Sequence, residues 1–192
     1  VATLTLNRPA QRNAFDDVMK REMVQAVRRV QADRDVRALV ITGAGGVFCA
    51  GGDIRGMQGA ALDSAGWRER MNGVRDFIEP LLHLDRPVIA AVDGAAFGAG
   101  FSLALTADFI LASTSARFCM SFMRVGLVPD CGAFYTLPRV VGVQRAKELM
   151  LSAREVDVQE AQRLGIVMEI HPQPELLARA QALAASFVNA SP

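Results

Sequence analysis

Two segments of this chain share one design: an unbroken apolar run, a cluster of glycines, and then a helix start. Residues 37–42 (RALVIT) lead through a glycine-rich loop to Gly51 and Gly52. Residues 88–92 (VIAAV) lead to Gly98, Ala99 and Gly100. Runs this apolar, without polar alternation, read as strands buried on both faces, the signature of a mostly parallel sheet covered by helices. Few other features narrow the fold so far. The class is α/β.

The remaining elements fit that class. Residues 3–6 alternate apolar and polar and predict a half-buried strand. Asp16 or Asp17 caps a helix carrying Val18, Met19, Met23, Ala26, Val27 and Val30 at helical spacing. A short helix is expected over 53–59, a mobile loop over 60–66, and a helix over 67–84 stopped by Pro87. Further helices are predicted over 101–107, 131–140, 143–151, 157–164 and 174–189. Strands are predicted over 109–112, 115–122 and 166–170, with a loop over 124–132 around Pro129. The sequence shows no fixed-period repeat or low-complexity linker.

Composition excludes some partners. The formal net charge of +1 is without a basic patch interleaved with aromatics, so nucleic acid is not expected. The charge-free apolar stretch between Asp93 and Asp108 is too short to span a bilayer, and no membrane partner is expected. Cys49, Cys119 and Cys131 form no C-x-x-C motif, and three cannot all pair internally. The opening run has no basic segment or cleavage site. A cytoplasmic setting is the expectation. The sequence opens mid-strand without methionine, which points to a few missing N-terminal residues.

The glycine turns carry the chemistry. Helix N-termini offer free backbone N–H groups and partial positive charge, and glycine lets a ligand atom approach the backbone. Two such turns facing one point would make an oxyanion hole. Tight turns with no ligand are the simpler alternative. Other glycine motifs fail. Leu103 stands where a dinucleotide fingerprint needs its third glycine, and Gly52 where a P-loop needs lysine. Residues 100–104 (GFSLA) come close to a nucleophile elbow around Ser102, with His171 as the only downstream histidine for a triad.

Four motifs occur in order: residues 12–14 (RNA), 48–53 (FCAGGD), 93–100 (DGAAFGAG) and 126–130 (GLVPD). Together they resemble the crotonase superfamily, the enoyl-CoA hydratase/isomerase family, over nearly the whole chain. In motif they are most similar to the enoyl-CoA isomerases of phenylacetate degradation. The resemblance implies a spiral of ββα units with two roughly perpendicular sheets, and a homotrimer or hexamer. It implies one core domain over residues 1–192, with a C-terminal helical trimerisation segment missing from the sequence.

It also implies an acyl-CoA thioester substrate, with coenzyme A entering only as part of that substrate and no other cofactor or metal. The thioester oxygen would sit between the amides of Gly52 and Ala99. Many relatives have glycine at the second position, but an alanine with negative φ could serve. The nucleotide would contact Arg12, Ala14, Ala50, Asp53 and Ile54, largely through backbone atoms. Trp67, Phe77, Phe122, Phe134 and Tyr135 are candidates to line an acyl pocket.

The resemblance breaks at the catalytic acids. Hydratases of the family use two glutamates, and this chain has Ser102 and Phe122 at those positions. Asp130 stands where some isomerases and the aryl-CoA dehalogenases keep their working aspartate. Its apolar neighbours Leu127, Val128, Pro129 and Phe134 would raise its pKa toward that of a useful base. It could also cap a helix starting at Cys131. The expected activity is a double-bond shift through a thioester enolate with Asp130 as acid and base. The alternatives are hydratase-like or dehalogenase-like chemistry, or an acyl-CoA-binding relative with weak catalysis.

Overall fold

A computed structural model describes residues 1–54, 56 and 63–188. Five strands form one parallel sheet in the order β1 (Ala2–Leu6), β2 (Leu39–Gly43), β3 (Val88–Val92), β5 (Phe109–Ser113) and β8 (Glu169–His171). The two apolar runs are its inner strands, and Leu39, Val40, Ile41 and the whole of β3 are buried. Alternate residues face opposite sides. Val40, Ile89, Ala91 and Leu111 pack under helix α7 (Gln173–Ser186) through Leu176, Ala180 and Ala184. Leu39, Ile41, Val88 and Ala90 face the larger core with helices α1 (Asp17–Ala32) and α2 (Ser64–Leu82).

Helix α1 begins where expected: the Asp16 carboxylate accepts the Met19 amide at 2.7 Å, capping the first turn. Met19, Met23, Val27 and Val30 bury its inner face. Val18 does not join them and is exposed, one position off that face. Helices α1 and α2 pack side by side. The short helix expected over 53–59 and the loop over 60–66 lie mainly outside the described residues. Ile54 and Gly56 are helical, and 64–66 form the first turn of α2.

A second sheet of three strands stands in the order β4 (Ala95–Phe97), β6 (Arg117–Cys119), β7 (Glu155–Asp157). Two of these depart from the sequence reading. Strand β4 lies inside what reads as a glycine turn, and β7 has no apolar run at all. Further helices are α3 (Ala99–Ala104), α4 (Ala133–Val141), α5 (Val143–Ser152) and α6 (Val158–Arg163), and a 3-10 turn spans Ser121–Val125. Among the described residues no helix is long and apolar enough to cross a membrane.

Candidate active site

Strand β4 brings the two glycine turns together. The Cys49 amide donates to the Ala95 carbonyl at 3.0 Å, and the Phe97 amide donates to the Cys49 carbonyl at 2.9 Å. The first turn is therefore laced to the strand that runs into the second. Gly98 (φ 52°, ψ −123°) then turns the chain into α3, with Ala99 as its first residue and outside the positive-φ region. An alanine fits there because its backbone is ordinary, while Gly98 takes a conformation that L side chains rarely adopt.

A ladder fixes the direction of the Gly52 amide. Phe15 donates to the Gly51 carbonyl at 2.8 Å, and the Asp53 amide donates to the Phe15 carbonyl at 3.0 Å. Successive amides in such a strand point opposite ways, so the Gly52 N–H is aimed away from Phe15. As the first residue of a helix, Ala99 has no intrahelical acceptor for its N–H. Among the described residues neither amide has an acceptor, and both border one cavity of roughly 450 Å³. The walls are mainly apolar, built by Phe15, Trp67, Met71, Val74, Phe122 and Leu127.

Asp130 borders the same cavity and supplies its only carboxylate among the described residues. Its Oδ1 is buried with no hydrogen-bond partner. Burial pushes its carboxyl above the ordinary 3.8; the neighbouring Cys131 thiol and the Lys20 ammonium offset part of that rise. The alternative role of this side chain, as a helix cap, is not realised. Helix α4 starts at Ala133 behind Gly132, which has φ 80° and no side-chain cap. Cys131 (φ 53°) and Gly132 are consecutive left-handed residues. They turn the chain so that Asp130 meets the helix only through its backbone carbonyl, which accepts the Ala133 amide at 3.1 Å.

The other predicted residues divide. Ala50, Ile54 and Phe122 line the cavity, as does Trp67. Arg12 and Ala14 flank the first turn: the Ala50 amide donates to the Arg12 carbonyl at 3.0 Å, and the Ala14 carbonyl accepts Arg8 at 2.6 Å. Asp53 pairs with Arg8 at 3.4 Å and accepts the Gly56 amide, which makes it an organiser of the loop. Phe134 and Tyr135 are exposed on α4 and do not line the cavity, and Phe77 is buried in the core. Ser102 is also off the cavity. Fully buried, it donates to the Gly98 carbonyl at 3.3 Å, and His171 pairs with Glu169 at 2.8 Å on β8. Among the described residues no serine triad forms around Ser102.

Among the cavity-wall residues that sequence reasoning missed are two cations, Lys20 on α1 and Arg70 on α2. It read Asn13 only as part of a motif, whereas the buried side-chain amide of that residue ties the first turn together. Among the described residues no group of three metal-ligating side chains gathers here or elsewhere.

Paired glycine turns opening free amides onto an apolar cavity, on two sheets of this topology, define the protein as one of the crotonase class. The chain belongs to the enoyl-CoA hydratase/isomerase family, whose family description matches it over residues 1–192. It is 39% identical over 189 residues to the 1,2-epoxyphenylacetyl-CoA isomerase of Escherichia coli (strain K12), covering 96% of this chain and 71% of that protein. It is 37% identical to the carnitinyl-CoA dehydratase of the same strain, covering all of this chain and 72% of that enzyme. The crystal structure of an enoyl-CoA hydratase/isomerase from Cupriavidus metallidurans CH34 superposes with a TM-score of 0.89 at 50% identity. That match covers 96% of this chain and 69% of the other. The family places the chain among acyl-CoA enzymes.

Proposed function

We propose that the protein is an enoyl-CoA isomerase that moves a double bond through a thioester enolate, with Asp130 carrying the proton. One observation carries this reading: a single carboxylate, one oxygen of it buried without a partner, borders the same apolar cavity as two free main-chain amides. Hydration needs one group to orient water and another to deliver a proton. The described cavity offers one carboxylate, and Ser102 is turned away from it.

A 1,3-shift needs only one such group. Asp130 takes the C2 proton of a 3-enoyl thioester, and the C–H electron pair moves into an enolate. The Gly52 and Ala99 amides receive the enolate oxygen, each worth about 2.7–4 kcal/mol in the transition state. The carbonyl then re-forms, the C3–C4 double bond becomes a C2–C3 double bond, and C4 takes the proton back from Asp130. Atoms and charge balance without a co-reactant. The 1,2-epoxyphenylacetyl-CoA isomerase relative supports an isomerase in general terms.

The assay is interconversion of 3-enoyl-CoA and 2-enoyl-CoA by the wild type and by Asp130→Asn. Loss of at least a hundredfold in kcat is expected, with 2-enoyl-CoA hydration negligible in both proteins. Undiminished isomerisation in the variant, or efficient hydration by the wild type, would overturn the reading.

A further inference from the structure

Two buried cations stand in the wall of an otherwise apolar cavity. Lys20 and Arg70 keep only 10% and 11% of their side-chain surface exposed. Lysine and arginine are almost never buried without a partner, because removing the charge from water is costly. The two converge on one oxygen of Asp17, at 3.2 Å from Lys20 and 3.8 Å from Arg70. Asp17 is 61% exposed and does not border the cavity. One largely solvated carboxylate thus ion-pairs with two mostly buried cations, and Asp130 on the same cavity acts on Lys20 through its charge without an ion pair or hydrogen bond to it.

Their donors are also unspent. An ammonium has three N–H donors and a guanidinium five. Among the described residues Lys20 makes one hydrogen bond, to Asp17, and Arg70 makes none. Arg70 also lies over Trp67 at 5.9 Å, a second cavity residue that steadies its guanidinium. Both cations border the cleft between α1 and α2 as well, so they stand between that cleft and the cavity. A purely hydrocarbon acyl chain would leave the remaining donors of this wall unused.

We infer that Lys20 and Arg70 form a specificity site for a carboxylate carried on the acyl group of the thioester. The substrates would be acyl-CoA esters of dicarboxylic acids, with the second carboxylate bound bidentately or shared between the two cations. The inference rests on the acyl-thioester reading of the cavity, though not on Asp130 chemistry.

The test measures binding of unreactive saturated thioesters, adipyl-CoA against hexanoyl-CoA, to wild type, Lys20→Met and Arg70→Met. The ratio of the two affinities is the readout, so each protein is its own reference and partial unfolding cancels. The wild type is expected to prefer adipyl-CoA at least tenfold, with the preference collapsing toward one in both variants. A wild-type ratio near one overturns the site, as does a ratio that survives both substitutions. Equal binding of 6-hydroxyhexanoyl-CoA and adipyl-CoA also overturns it, by assigning the cations to a neutral oxygen. If neither thioester binds, the reading of the cavity itself fails. Adipyl-CoA preference without any isomerisation would leave the site standing and remove the proposed reaction.

Discussion

Gly51 lies directly against Ala99. A β-carbon on Gly51 would come within 3.4 Å of the Ala99 nitrogen and 2.8 Å of the Phe97 carbonyl oxygen. The two amide-bearing turns touch without side chains between them, and Gly51 holds φ 96°, which L residues avoid. Gly51→Ala is therefore expected to separate the turns. Strain of this kind costs about 1–3 kcal/mol, and a chain of this size loses about 2–4 °C for each kcal/mol. Calorimetry should show that drop in melting temperature, and turnover should fall further than the folded fraction does. Ala99→Gly is the contrast: only the main-chain amide is used there, so kcat should stay within about threefold of wild type.

The unpartnered Asp130 oxygen sets a function against stability. Activity needs the ionised base, so kcat/KM should fall as pH drops through the Asp130 pKa, at a midpoint above the ordinary 3.8. For stability the sign is opposite. A carboxyl whose folded pKa is raised favours the fold below its unfolded pKa, and that advantage is lost as pH rises through the folded pKa. Near neutral pH Asp130 therefore weighs against the fold. Asp130→Asn removes the charge that burial penalises and should raise the melting temperature there. The gap between variant and wild type should close on acidification. A variant less stable than wild type at pH 7 would contradict this account.

Arg154 ties the two helices behind the small sheet. It reaches Glu148 at 2.6 Å on α5 and Glu160 at 2.7 Å on α6, each through two nitrogens. The arrangement holds the Glu148 carboxyl down at about 2. These carboxylates are partly exposed, 35% for Glu148 and 26% for Glu160, and solvent screens them, so the network is worth about 1 kcal/mol rather than a sum of ideal pairs. Arg154→Met is expected to melt about 2–4 °C lower at neutral pH. A depressed carboxyl stabilises the fold above its unfolded pKa, so the difference should shrink as pH falls from about 4.5 toward 2.

Much of this was legible in the sequence because it followed from periodicity. The apolar runs at residues 37–42 and 88–92 became inner strands, since nothing but a covered sheet buries such segments. Strand β7 was not legible. In Glu155–Val156–Asp157 only Val156 is buried, and the pairing with β6 supplies what the pattern lacks. Strand β4 was hidden because glycines at 94 and 98 read as a turn, whereas they bracket three paired residues. Asp130 borders the cavity, and the alternative of a helix cap fails because two left-handed residues, one of them Cys131, cannot be anticipated from propensity. Phe134 fell on the outer face of α4, because Ala133, Thr136 and Leu137 are the residues that face the core. Lys20 and Arg70 were passed over because charged residues on amphipathic helices are ordinarily solvated.

Asn13 gives the sharpest separation between a motif and its meaning. The run Arg12-Asn13-Ala14 reads as ligand contact, yet its fully buried middle residue serves the fold. The Asn13 side-chain amide donates to the Ala44 carbonyl at 2.9 Å and the Val47 carbonyl at 2.6 Å, and its oxygen accepts the Arg8 amide at 2.8 Å. At φ 56° asparagine is among the few non-glycine residues that tolerate the conformation. Asn13→Ala would strand three backbone groups at a site without surplus donors. Each costs about 1 kcal/mol or more when buried, so a loss of about 6–12 °C is expected. Asn13→Asp should be worse despite its similar shape. It keeps the acceptor for Arg8 but sets a carboxylate oxygen against two carbonyl oxygens where two donors stood. Thermal melts of the pair decide the point: an aspartate variant as stable as wild type would mean that the hydrogen bonds from this side chain do not hold the first glycine turn in place.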